Sequence, residues 1–165
     1  MRLFIAQTID GFIAGPGGSL DHLTAFNDTD YGYDSFIASA DAVILGRNTF
    51  DAIYPKHGWA YPGRLPGAVL TSRALPANLP DNVIASDDID DISTRFPNAF
   101  VDGGGQVIRA LCDRNLIREA RIFTLPILLG DGTRLFPTGA ARLEPWTLLA
   151  VRRFANGAVM HHYAV

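Results

Sequence analysis

Three short stretches end apolar runs with residues able to hold an anion. "AVILGRNTF" (42–50) passes from aliphatic side chains to Gly46 and then to Arg47, Asn48 and Thr49. "AFVDGGGQVI" (99–108) does the same with Gly103, Gly104 and Gly105, followed by Gln106 and Val107. "VLTSR" (69–73) sets the hydroxyls of Thr71 and Ser72 beside the guanidinium of Arg73. Glycine lets the backbone turn tightly and lets a ligand approach it. The start of a helix offers N–H groups with no partner, and arginine adds a fixed positive charge. Ligands of open α/β sheets sit beyond the carboxyl ends of the strands. Any one such junction can be a plain turn. Three together, in a chain of net charge −3, point to a ligand carrying several phosphates.

Two common phosphate devices are absent. Ile108 stands where the dinucleotide fingerprint G-x-G-x-x-G needs its last glycine, and Lys56 is the only lysine, which leaves no Walker-type loop. No Gly-x-Ser-x-Gly elbow of an α/β hydrolase occurs either.

The elements that must position these strand ends follow from apolar periodicity. Strands are predicted at Leu3–Ala6, Phe12–Ala14, 42–46, 68–72, 82–86, 98–102 and 119–128, the last disturbed by Pro126. Helices are predicted at 30–40, just after Gly46, and at 105–116. The segment "YPKHGWAYPGRLPG" (54–67) reads as a loop. Asn156-Gly157 marks a closing hairpin. Strands alternating with helices imply a mostly parallel sheet with an antiparallel end, and no linker or repeat divides residues 1–165. With one cysteine, Cys112, no internal disulfide can form, and no basic-then-apolar leader opens the chain. A reducing, cytoplasmic setting is the expectation.

In order and spacing these motifs resemble the dihydrofolate reductase superfamily, in particular the bacterial branch that includes the reductase domain of riboflavin biosynthesis. "FIAQTIDGFIA" is similar to the family's opening strand and active-site loop, and "VILGRNTFDAI" to its Gly-Arg-x-Thr segment. "PGR" (62–64) with "AVLTSR", "DGGGQV", and "LPILLGDGTRLF" (125–136) resemble its later loops. The resemblance covers nearly the whole chain. It implies a single α/β domain of that fold, with NADPH as cofactor. Ala6 and Ile13 would lie near the nicotinamide, and Gly46, Arg47, Asn48 and Thr49 at the phosphates. Thr71, Ser72 and Arg73 would meet the adenosine 2′-phosphate, and Gly103, Gly104, Gly105, Gln106 and Val107 the pyrophosphate. His22, Ile53 and Arg64 would face the substrate.

Counting back sixteen residues from Gly46 to the position of the family's helical carboxylate reaches Asp30, with Asp34 one turn later. As a proton donor, Asp30 would act with Asp34 positioning the ring; Asp30 as a helix cap is the competing reading. Asp21-His22 replaces the Pro-Trp pair of the folate reducers, and "TAFNDT" replaces their Leu-Pro step. A ribosylaminopyrimidine or a pterin-like ring is therefore the expected hydride acceptor. An NADP(H)-binding module without turnover is the alternative.

Other features are given structural roles. His161 and His162 adjoin on a strand and point to opposite faces, so no metal site is expected. The run "SDDIDD" (86–91) is a solvated loop and helix start, and Cys112 is buried filler on its helix. The late strands offer apolar edges for a homodimer.

Overall fold

The structure is a computed structural model and describes residues 1–63, 65–139 and 143–165. Its strands are β1 (Arg2–Thr8), β2 (Phe12–Ala14), β3 (Val43–Gly46), β4 (Gly67–Leu70), β5 (Val83–Ser86), β6 (Phe100–Gly103), β7 (Glu119–Leu125), β8 (Thr133–Arg134), β9 (Thr147–Arg153) and β10 (Val159–Ala164). The helices are α1 (Tyr33–Ala38), α2 (Arg47–His57), α3 (Ile89–Arg95) and α4 (Gly105–Cys112). One sheet runs β5-β4-β3-β6-β1-β7-β10-β9. It is parallel from β5 to β7 and antiparallel in the closing hairpin. This is the expected mixed α/β architecture.

Alternation along the central strands divides the core into two layers, because successive side chains leave opposite faces of a sheet. Leu3, Ile44, Ala68 and Val101 pack with Ile92 of α3 and with Ile108 and Leu111 of α4. Val43, Leu45, Val69 and Phe100 pack with Phe36 of α1 and Phe50 of α2. Both faces being covered, β3 is buried at all four positions, which is why it reads as a continuous apolar run. Two opposed helix layers thus fix the carboxyl ends of β3 and β6 side by side.

Several elements differ from the sequence reading. The helix expected over 30–40 begins only at Tyr33, after Gly32 in a left-handed conformation (φ 82°). The Asp30 carboxylate accepts the Gly32 N–H at 2.7 Å, an Asx turn rather than an N-cap. Tyr33, on the apolar face of that helix, is 36% exposed. The helix expected over 105–116 stops at Cys112; Asn115 turns left-handed (φ 55°) and the Leu116 N–H returns to the Leu111 carbonyl. The expected loop over 54–67 is only partly a loop. Its first turn completes α2, which ends at Gly58, and Tyr61 and Leu65 are buried. The Trp59 ring lies over Gly67, where a Cβ would collide with it. The two-residue strand β8 was not foreseen; it pairs with β2.

β9 is one edge of the large sheet, opposite β5, and is exposed along its length. Leu148, Leu149 and Val151 are each more than half exposed. Among the described residues no helix is long and apolar enough to cross a membrane.

One clasp ties the β1–β2 bend to the segment before β8. The Asp10 carboxylate accepts the Thr8 hydroxyl and the N–H groups of Leu129 and Gly130. These bonds favour the ionised form and hold Asp10 down to about 2 from 3.8, the Thr8 hydroxyl contributing most. A lowered folded pKa stabilises the native state above the unfolded value and is lost as pH falls through the folded one. Thermal unfolding of the wild type is therefore expected to drop between pH 3.8 and about 2, and Asp10→Asn to flatten that part of the profile. Equal acid slopes in the two proteins would count against the clasp.

Candidate active site

The β3–α2 and β6–α4 junctions open onto a single cavity of about 470 Å³. Gly46, Arg47, Asn48 and Thr49 line it from one junction, and Gly103, Gly104, Gly105, Gln106 and Val107 from the other. Neither helix start carries a side-chain cap: the N-cap residues are Gly46 and Gly104. By contrast, α3 is closed by Asp88, which accepts the N–H groups of Asp90 and Asp91. The first-turn amides of α2 and α4 are thus left for a ligand, and the two helix dipoles favour an anion between them. Ala6, Ile13 and Ile53 add apolar wall to the same cavity, as do Phe4 and Leu23.

The glycines serve the chain's own packing. Gly46 faces Val107, whose methyl would lie 2.8 Å from an added Cβ. Gly103 has φ 133°, and the Gly103–Gly104 peptide is cis. A Cβ on Gly105 would run into the backbone oxygen of Arg134. Close packing therefore requires glycine at Gly46 and Gly105, whereas Gly103 is required by its positive φ. An uncapped, glycine-walled cleft between two helix starts suits the diphosphate of a dinucleotide.

Other expected site residues lie elsewhere. Thr71, Ser72 and Arg73 follow β4 and do not line the cavity; Thr71 Oγ1 accepts the Arg73 N–H. Arg73 is connected to the cavity rim through Asp51, which it shares with Arg47. His22 sits in a 3₁₀ turn (Asp21–Phe26) whose Leu23 reaches the cavity while His22 does not. Its Nε2 is buried without a hydrogen-bond partner, and burial pushes its pKa down against the opposing charge of Asp21. Asp30 and Asp34 are exposed and line a separate shallow recess with Asn27, Asp28 and Tyr33. Arg64 lies outside the described residues.

The sequence reading missed Asp102. It lines the cavity immediately before the glycine triplet. Its Oδ2 accepts the Tyr61 hydroxyl at 2.8 Å. Burial pushes its carboxyl above the usual carboxylate range, only partly offset by the Tyr61 bond. Burial raises the Tyr61 and Tyr33 hydroxyls as well, and the ionised form of Asp102 would add to both. A carboxyl raised in this way beside a cavity is a candidate proton donor. Its residue type in "FVDGGG" was visible, but its partner lies 41 positions away, so no local pattern announced the pair.

Among the described residues no cluster of His, Cys, Asp or Glu could hold a metal ion. His161 stacks on Tyr163 and His162 approaches Glu119, from separate faces of β10. Cys112 is buried.

Comparison with known proteins agrees with this architecture. Residues 94–160 match the RibD C-terminal domain family. YwjB of Bacillus subtilis, itself uncharacterized, is 26% identical over 97% of this chain and 95% of its own. A Shewanella sp. PV-4 protein assigned provisionally to riboflavin biosynthesis is 28% identical and superposes with a TM-score of 0.84, covering 99% of this chain and 97% of that one. The Thermotoga maritima diaminohydroxyphosphoribosylaminopyrimidine deaminase/5-amino-6-(5-phosphoribosylamino)uracil reductase shares the fold at 16% identity and a TM-score of 0.72, with 99% of this chain matching 55% of it. In fold, matched segment and motif order the chain is similar to RibD C-terminal domains, the riboflavin-biosynthesis reductase-like branch of the dihydrofolate reductase superfamily.

Proposed function

We propose that this chain is an NADPH-dependent reductase acting on a small heterocycle, a ribosylaminopyrimidine or a pterin-like ring. The observation that carries the reading is the pair of uncapped helix starts on one cavity with an apolar wall. The amides of residues 47–49 and 105–107 bind the diphosphate, and Ala6 and Ile13 flank the nicotinamide. When bound, the reduced nicotinamide supplies the hydride. The chain's own task is to orient the acceptor and provide a proton. Asp102 holds that proton in the cavity wall, and the Tyr61 hydroxyl fixes its carboxyl. Asp30 and Asp34, in the neighbouring recess, bind outlying polar groups of the substrate. The relation to riboflavin-type reductases supports the choice of heterocycle.

The test combines NADPH fluorescence titration with a screen of the riboflavin-pathway aminopyrimidine, dihydrofolate and simple quinones. Saturable binding with cofactor oxidation by one of the ring substrates is expected. Tight binding with no oxidation by any of them would instead mark a cofactor-binding module, and no binding at all would remove the reductase reading.

A further inference from the structure

At the cavity rim two guanidinium groups converge on one carboxylate. Arg47 Nε lies 2.7 Å from one oxygen of Asp51, and Arg73 Nη2 lies 3.3 Å from the other. Arg47 itself lines the cavity, whereas Arg73 and Asp51 face solvent just outside it. Two arginines at the mouth of a dinucleotide-sized cleft form a receptor for a phosphate monoester. Here the chain's own carboxylate already sits between them.

We propose that Asp51 is a specificity-determining residue that competes with the 2′-phosphate of NADPH for Arg47 and Arg73. The inference rests on the dinucleotide reading of the cavity and goes beyond it. Arg47 and Arg73 favour the phosphorylated cofactor, and Asp51 discounts that preference. A 2′-phosphate entering this site must displace the carboxylate or share the arginines with it, and both cost binding free energy. NADH carries no such group and meets no such cost.

Arg47 does not depend on Asp51 for its place. Its Nη1 donates to the Ala74 carbonyl at 3.0 Å, and its guanidinium lies over the Phe50 ring at 5.8 Å. Asp51→Asn keeps a carbonyl oxygen for Arg47 while removing the charge. Because exposed ion pairs add little to stability, the variant is expected to fold as the wild type does.

The experiment measures dissociation constants of NADPH and NADH, and of 2′-AMP against 5′-AMP, for the wild type and Asp51→Asn. The expected result is NADPH binding about tenfold tighter in the variant with NADH binding unchanged, the size of one like-charge contact near a protein surface. 2′-AMP should tighten in parallel, and 5′-AMP should not. An unchanged NADH-to-NADPH ratio, or weaker NADPH binding in the variant, overturns the competition while leaving the reductase reading intact. Failure of both proteins to bind either dinucleotide overturns both readings.

Discussion

Asp102→Asn is expected to lower the single-turnover hydride-transfer rate by about 10²–10⁴-fold, the range for loss of a positioned acid. Dinucleotide affinity should change little, because the amides that hold the diphosphate belong to other residues. Stability should move the opposite way. A folded pKa raised above the unfolded value means the native state binds its proton more tightly. That contribution is present at low pH and lost as pH rises through the raised value. Above it, the wild type holds an ionised carboxyl in a poorly solvated site. Asparagine carries no such charge and still accepts from the Tyr61 hydroxyl. The variant should therefore unfold at the same or a higher temperature at alkaline pH, while the wild type loses both stability and rate there. A purely structural Asp102 would show no loss of rate. Asp30→Asn and Asp34→Asn serve as the comparison, since both carboxylates are exposed in the recess. Loss of hydride transfer in either of them, with Asp102→Asn unaffected, would move the proton source to the recess.

The contrast between Asp30 and Asp102 shows which parts of the site could be read from the chain. Counting back from Gly46 reaches Asp30, but Gly32 delays the helix and leaves its carboxylate in a turn. Helical spacing says nothing about a start set by one left-handed residue. The junctions at Gly46 and at the glycine triplet were legible because strand, glycine and helix follow one another locally. The hairpin at Asn156-Gly157 was legible for the same reason: Gly157 has φ 87°, and the Phe154 N–H bonds to the Ala158 carbonyl. Tyr61 was not. Its segment is rich in proline and glycine and reads as loop, yet the ring is buried in T-shaped contact with Trp59. Such burial comes from tertiary packing, which local composition does not encode. The Arg73–Asp51 pair, 22 positions apart, escaped notice for that reason as well.

Gly105→Ala should destabilise the protein and abolish tight dinucleotide binding, against what helix propensity alone predicts. In an open helix, glycine to alanine gains up to about 1 kcal/mol. Here the added Cβ would meet the Arg134 carbonyl oxygen, with Pro137 Cδ at 3.3 Å and the Leu135 carbonyl oxygen at 3.4 Å. The first of these is backbone and cannot rotate away. Overpacking of this kind costs about 1–3 kcal/mol, so the clash outweighs the propensity gain. Relief requires the start of α4 to move away from the β8 segment, which shifts the amides of residues 105–107 relative to those of 47–49. Gly63→Ala is the matched control: apart from its chain neighbours, no atom of the described residues lies within 4 Å of the new Cβ. There the unfolded-chain entropy term prevails, and a change between neutral and about 1 kcal/mol stabilising is expected. Thermal unfolding and NADPH titration of the two variants separate the effects. A Gly105→Ala protein that melts and binds like the wild type would mean that the spacing between the two helix starts is not set by this contact.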